Sequence, residues 1–475
     1  MKKQQYILAL FAIILTTLST SSCRKVLNEE PFNSFSPKDA FSNASRIDKT
    51  AVGMYDALQN ANYFGGRILI YSDQRGLDAN PAAFFGNIGQ NPTLVTASDG
   101  IAAGAWQGAY RTIFECNAFL ANFTPDRQAL VPAVKANQYI GEAKFIRSLC
   151  YFYLVNMYAQ PYNFTANGGH FGVPLVLSVS ADPFAASNNL PRSSVKVVYD
   201  QMESDLLDAE SKLPVANFTT SAYNSVSRAT KTAARGLLAR LYLYKGDNIN
   251  AAASANTVIT SALYALNPDP VTPFRTYTTN ESIFSVAMDG GDNPNTNNSI
   301  GQHYGATRRA DIPIAATYLA LMGPTDKRLT NLTQVVSGNN WTTKYNAGTT
   351  DWVPVMRYSE MLLIRAEALA NLATGTTADV AAIALLNQVR GRSETGVVLA
   401  PANKLALLAA IAKERRIELA FEGQGNLDFF RLGQDVPAHS VAPLITYGSN
   451  YAVLPIPKYD TDKNPVLAAQ QNPGY

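Results

Sequence analysis

Between Val355 and Arg392 the apolar positions crowd together: VMRYSEMLLIRAEALANLATGTTADVAAIALLNQVRGR. Tyr358, Met361, Leu362, Ala368, Leu369 and Leu372 recur at helical spacing, and Leu363, Ile364, Ala366 and Ala370 fill most of the remaining circumference. A helix that is apolar nearly all round is buried. Gly375 and its threonines interrupt the pattern, and Asp379 stands where it caps a second helix carrying Val380, Ile383, Leu386 and Val389. The stretch predicts an antiparallel helix pair. It also carries Arg357, Glu360, Arg365, Glu367, Arg390 and Arg392. A lone buried charge is very costly, so pairing is expected for Arg357, Glu360, Glu367 and Arg390. The same holds for Arg415, Glu418 and Glu422 on a later helix.

The rest of the chain alternates helical patterns with long aperiodic segments. Ser36, Pro37 and Asp39 read as an N-cap, a proline at the first helical position and a first-turn acid, opening a helix that runs through Leu58. Periodicity is lost from 60 to 100, a segment rich in Gly, Asn and aromatics. Helices are predicted at about 101–123, 133–158, 193–212, 231–244 and 250–263. The region 267–354 brings a strand-like piece (Ser282 to Met288), a polar loop and aromatic turns. After the helix pair 355–392 comes a helix at 402–422, then a proline-rich end. Antiparallel helices of this length predict a mostly α, tetratricopeptide-like scaffold with long irregular insertions and little β. Long aperiodic segments in compact domains are often functional, so the two insertions are expected to build a recognition surface.

Composition changes this picture little. The formal charge is +3, and the Lys and Arg residues are scattered, which argues against a nucleic-acid partner. Tyr (24) outnumbers Trp (3), and the loops are rich in Asn and Ser, a mix suited to polar and stacking contacts outside the cytoplasm. No CxxC or HExxH spacing occurs, so no structural zinc is expected. The N-terminus carries an address. Lys2 and Lys3 precede an apolar run, Tyr6 to Leu18, shorter than the roughly 20 residues a span needs. Thr-Ser-Ser-Cys follows and resembles a lipoprotein cleavage site, although Thr20 stands where leucine is usual. Residues 1–22 are read as a lipoprotein signal peptide and Cys23 as the acylated residue. Cys116 and Cys150 fall in apolar helical patterns and read as free buried thiols.

Several stretches together resemble the SusD/RagB family of outer-membrane nutrient-binding lipoproteins. They include Cys23 to Pro31, Trp106-x3-Tyr110-x2-Ile113-x2-Cys116-Asn117, and Gly141-Glu-Ala-Lys-Phe-Ile-Arg147 through Tyr158. Further matches are Ala233 to Tyr242, Arg357-Tyr-Ser-Glu360 through Glu367, and Asn387-x2-Arg390-x-Arg392. The last are Glu414-Arg-Arg-Ile-Glu418 to Glu422, Leu454-Pro-Ile-Pro457, and the terminal Gln471-Asn-Pro-Gly-Tyr475. The chain departs from the family at Gly423-Gln-Gly-Asn426, where the family has an arginine and an aromatic before the Asp. The resemblance implies four tetratricopeptide-like units in one domain, 23–475. Its N-terminal part, about 23–265, would carry the insertion at 60–100, and its C-terminal part would span about 266–475. The resemblance also implies a lipid-anchored protein on the outer face of the outer membrane. It would hand a glycan, or sometimes a peptide, to a SusC-like TonB-dependent transporter, with no chemistry of its own.

A glycan site needs aromatic platforms beside carboxylate, amide and guanidinium groups. Candidates in the insertions are Asp73 and Arg75, His303 and Tyr304, and Trp341, Tyr345 and Trp352, with Phe84 and Phe85 as weaker ones. Trp106 joins them, although its spacing to Tyr110 also suits packing. Glu414, Glu418 and Glu422 invite a glycosidase reading. Against it, Arg415 and Arg416 interleave with them, and one helix cannot flank a scissile bond from two sides. Asp289, Asp292, Asn295 and Asn297 cluster oxygens of the kind that hold calcium, but Pro294 spoils EF-hand spacing. No cofactor is therefore expected, with calcium the one metal this loop suggests.

Overall fold

The computed structural model describes residues 36–180, 182 and 185–475. The expected signal peptide 1–22 and the expected acylated residue Cys23 lie outside the described residues. The protein is mostly α, about 55% helix and 6% strand. It divides into two units at the boundary between Thr50 and Ala51.

Ser36 caps the helix Pro37–Ala40, its Oγ accepting from the Asp39 N–H at 3.2 Å. The helix expected to continue from here breaks at 41–43. Ser42 Oγ donates back to the Asp39 carbonyl, and Asn43 Oδ1 accepts from the Arg46 N–H at 3.1 Å. Short polar side chains that bond the backbone end one helix and start another, here Ala44–Leu58.

Eight of the described helices form the scaffold: Gly100–Asn122 (α1), Ala133–Tyr158 (α2), Val195–Lys212 (α3), Lys231–Lys245 (α4), Asn248–Thr260 (α5), Tyr358–Leu372 (α6), Val380–Ser393 (α7) and Lys404–Leu419 (α8). From α1 to α6 each packs on the next, and α6 packs also on α7 and α8. The caps are those that local chemistry requires. Asp99, Ser194, Thr230, Asp247, Asp379 and Asn403 accept first-turn N–H groups. Gly246 ends α4 in the left-handed conformation at φ 77°. In α6, Met361, Leu362, Leu363, Ile364, Ala366, Ala368 and Ala370 are fully buried. Cys116 and Cys150 are free and buried.

Strand content is small. Ser282–Val286 (β1) pairs antiparallel with Val353–Arg357 (β4), leading directly into α6. Thr333–Val336 (β2) and Asn339–Thr342 (β3) form a hairpin. Its two turn residues, Ser337 and Gly338, both have positive φ, the conformation a two-residue turn needs to match strand twist.

The segment 60–100 is more ordered than its lack of period suggests. It contains the helix Arg67–Gln74, buried from Ile68 to Gln74. Eight residues are too few to show a helical period, and Gly66 before it offers no side-chain cap. Gly66 holds φ 132°, and a Cβ there would lie 2.7 Å from the Ile300 nitrogen. The departure at 423–426 also has a local reason. A Cβ on Gly425 would lie 2.7 Å from the Ser72 carbonyl oxygen and 2.8 Å from Asp73 Cα. No arginine fits there; the helices Arg67–Gln74 and Gly425–Arg431 touch backbone to backbone.

The charges of α6 to α8 are joined in a buried network. Arg240 and Glu360 form a two-bond pair, 2.7 Å each, both almost inaccessible. Arg357 binds Glu281, Glu418 and Glu422. Arg390 binds Asp326, Glu394 and Glu414, and Arg415 reaches Asp428, with Glu367 at 3.8 Å. Burial works to raise the Glu418 pKa, but Arg392, Arg357 and Arg328 outweigh it and hold the carboxyl well below its usual range.

Candidate functional site

The two insertions meet. Asn80 N–H donates to the Pro313 carbonyl at 2.8 Å, and Ala79 bridges Ile314. Arg67, at the start of its helix, donates to Asn62 Oδ1 at 2.8 Å and to the Asn297 carbonyl at 2.9 Å. On this seam stands Phe84, 39% exposed. Its neighbour Phe85 is buried, and the two rings meet edge to face with centroids 5.1 Å apart. In the short turn Ala83–Phe85, Phe85 points inward and Phe84 is left at the surface.

Polar groups frame that ring. The Arg309 guanidinium carbon lies 4.4 Å from the Phe84 centroid, and that of Arg67 lies 5.5 Å away. Arg309 is itself held, donating to Asp311 Oδ2 at 2.9 Å and to Asn297 Oδ1 at 2.7 Å. Beneath lies His303, buried, its ring 5.0 Å from Phe84 and 4.9 Å from Phe85. Its Nδ1 is 2.8 Å from Asp311 Oδ2. Its Nε2 is 3.1 Å from the Asn297 carbonyl, and burial lowers its pKa against the pull of Asp311. Burial likewise works to raise the Asp311 carboxyl, but bonds from His303 and Arg309 hold it below its usual range. The result is a fixed aromatic face with two guanidinium groups, an exposed amide at Asn297 and a half-buried carboxylate. Such a surface can stack on a sugar ring and bond its hydroxyls.

The candidate residues from the sequence land in different places. Asp73 is 3% exposed; it accepts from the Tyr304 hydroxyl at 2.9 Å and faces the Gly423 N–H. Burial pushes its pKa up to about 8. Arg75 is buried and donates to the Tyr451 carbonyl at 2.6 Å. Tyr304 stacks on Tyr345, whose hydroxyl donates to the Phe421 carbonyl at 2.7 Å. Trp341 sits in β3 with its indole N–H on the Val336 carbonyl. Trp352 stacks on Tyr277 at 5.4 Å and donates to the Met288 carbonyl. These six are tied into the interior. Trp106 packs on Tyr110 and Tyr158 and lines a separate cavity. Of the eight, His303 alone touches the Phe84 ring. Arg67 and Arg309, which frame the Phe84 ring, were not among the sequence candidates, and Asn297 entered only as a calcium-type oxygen; Phe84 and Phe85 were the local signal for this neighbourhood.

Glu414, Glu418 and Glu422 are buried and engaged with Arg328, Arg357, Arg390, Arg392 and Lys344. Among the described residues no group of three or more His, Cys, Asp or Glu side chains is placed to hold a metal. Asp289 Oδ1 accepts the Gly291 and Asp292 N–H groups, and Asn297 Oδ1 accepts from Arg309.

Comparison with known proteins gives one consistent answer. A family model described as "Starch-binding associating with outer membrane" matches residues 25–243, and the SusD family model matches 326–475. SusD-like protein P2 of Formosa agariphila is 25% identical over 546 aligned positions, covering 99% of this chain and 100% of that one. A SusD superfamily protein from Bacteroides fragilis is 30% identical, with TM-score 0.79, covering 90% of this chain and 100% of that one. A structure described as a laminarin binding SusD-like protein shares the fold at 22% identity and TM-score 0.71, covering 91% and 100%.

Proposed function

The chain belongs to the SusD/RagB family, and on that premise we propose that it captures an oligosaccharide or polysaccharide fragment at the cell surface and passes it to a SusC-like, TonB-dependent barrel. Attachment to the outer membrane would be through lipid on Cys23. The protein holds its ligand and carries out no chemistry. The observation that carries the reading is the exposed Phe84 ring set between Arg67, Arg309 and Asn297. A sugar ring offers C–H groups to an aromatic face and hydroxyls to the surrounding donors and acceptors, and this surface supplies both.

Laminarin is a reasonable first probe, because one structural neighbour is described as binding it. Starch and a panel of other polysaccharides extend the test. Mobility in affinity gels should fall in at least one polysaccharide with no reducing ends released, and Phe84→Ala should restore it. Release of reducing ends by the purified chain would overturn the non-catalytic reading. Retention on peptides with no response to any polysaccharide would replace glycan by peptide.

A further inference from the structure

A cavity lies apart from the Phe84 surface and shares no residue with it. It has a volume of about 510 Å³, inside the roughly 300–1,000 Å³ range of small-molecule sites. Two elements far apart in sequence build it. One is the first half of α1, which brings Trp106, Gln107 and Tyr110; the other is the C-terminal segment with Asp460 and Lys463. Asn189, from the segment between α2 and α3, closes a third side.

The lining chemistry is selective. Tyr110 gives the cavity a half-buried aromatic face, and Trp106, 3% exposed, backs it with its centroid 4.8 Å away. Tyr110 is fixed by a 2.7 Å bond from its hydroxyl to the Pro174 carbonyl. Asp460 lies beside the Trp106 side chain, and its buried Oδ2 has no hydrogen-bond partner among the described residues. A buried acceptor without a donor is costly, and a ligand hydroxyl entering from the cavity would satisfy it. Gln107 and Asn189 are exposed and add amide donors and acceptors. The cations are already engaged. Arg111 pairs with Glu115 at 2.7 Å, and Lys463 bonds the Tyr459 hydroxyl and lies 3.7 Å over its ring. An anionic ligand would have to displace those partners; a neutral polyhydroxylated one need not.

We propose that this cavity is a second binding site for a neutral sugar of two or three pyranose units, with Tyr110, backed by Trp106, as its wall and Asp460, Gln107 and Asn189 as its hydroxyl partners. It rests on the reading of the protein as a glycan binder, and adds a second point of attachment on one chain. Two sites on one strand of polysaccharide would raise retention well beyond either alone.

The test titrates the full chain calorimetrically with laminaritriose, maltotriose and cellotriose, alongside Phe84→Ala, Asp460→Asn and Gln107→Ala. Both cavity residues changed are at least partly exposed, so folding is not at stake; unchanged thermal midpoints check this. The expected result is two equivalents of one trisaccharide per chain. Phe84→Ala should retain one equivalent, which Asp460→Asn or Gln107→Ala weakens ten-fold or more. One equivalent, lost in Phe84→Ala and indifferent to both cavity changes, would overturn this inference and leave the proposed function standing. Failure of the wild-type chain to bind any of the sugars, together with no retardation in polysaccharide gels, would overturn both.

Discussion

Replacing Asp73 by Asn should make the protein more stable as pH rises, although Asp73 sits in the middle of a hydrogen-bonded cluster. Burial places its pKa at about 8 in the folded protein, against an ordinary 3.8. A raised carboxyl pKa means that folding favours the protonated form. The stability that Asp73 allows is therefore fully present below about pH 4 and is lost as pH rises through 8. A shift of about four units at 1.36 kcal/mol per unit is on the order of 5 kcal/mol. Asparagine keeps the shape, can still accept from the Tyr304 hydroxyl and never ionises. With about 2.1 cal/mol/K per residue over the roughly 425 residues of the second unit, 5 kcal/mol corresponds to about 6 °C in Tm. Scanning calorimetry of wild type and Asp73→Asn from pH 4 to 8.5 should show a Tm difference near zero at pH 4. It should grow to about 6 °C in favour of the variant by pH 8.5. A difference that stays flat across the range would refute the reasoning, because it would place the carboxylate in its charged form throughout.

Other consequences follow from the same packing. Glu360→Gln strands the Arg240 guanidinium, which is fully buried, and should cost about 3–5 kcal/mol in urea unfolding. Gly425→Ala forces a methyl to 2.7 Å from the Ser72 carbonyl and should cost about 1–3 kcal/mol; Gly433→Ala, with no atom within 4 Å of its added Cβ but a φ of 67°, separates crowding from backbone strain. Burial raises the pKa of both Cys116 and Cys150 thiols, so iodoacetamide at pH 8 should leave them unmodified in the folded protein and alkylate both in urea.

The scaffold was legible because its burial is periodic. From α1 to α8 the ends differ from the expected boundaries by a few residues, and Asp379 caps α7 as its position suggested. What stayed hidden has short or non-periodic causes. The helix Arg67–Gln74 is two turns long and lacks an N-cap side chain. The β2–β3 hairpin turns on Ser337-Gly338, a weaker signal than Asn-Gly. β1 and β4 pair across more than sixty residues, a distance over which no local pattern reports. At the candidate site, polar and aromatic residues of the insertions were read as exposed because the segments looked like loops, whereas most of them are buried. Hydrogen bonding is the reason this fails: Tyr304 bonds Asp73, Asp73 faces the Gly423 N–H and Arg75 bonds the Tyr451 carbonyl, so these residues tie the insertions to each other and to the C-terminal part without any apolar periodicity.

That fixing has a consequence for how the site should be dissected. Tyr304 bonds Asp73 and stacks on Tyr345, and the residue before it, His303, lies under Phe84. Asp73 in turn faces the Gly423 N–H beside the helix that Gly425 opens. A continuous set of buried contacts therefore runs from the scaffold to the underside of the exposed ring. Changes at Asp73, Tyr304 or Tyr345 would reach ligand affinity by moving this support, so affinity loss alone does not identify a contact. Phe84→Ala and Asn297→Ala should lower affinity with Tm unchanged, because both side chains are exposed. Tyr304→Phe removes the hydroxyl bond to Asp73 and should lower Tm and affinity together. If Tyr304→Phe instead weakened binding with no loss of Tm, the tyrosine would be reaching the ligand itself, and the support would have to be sought elsewhere.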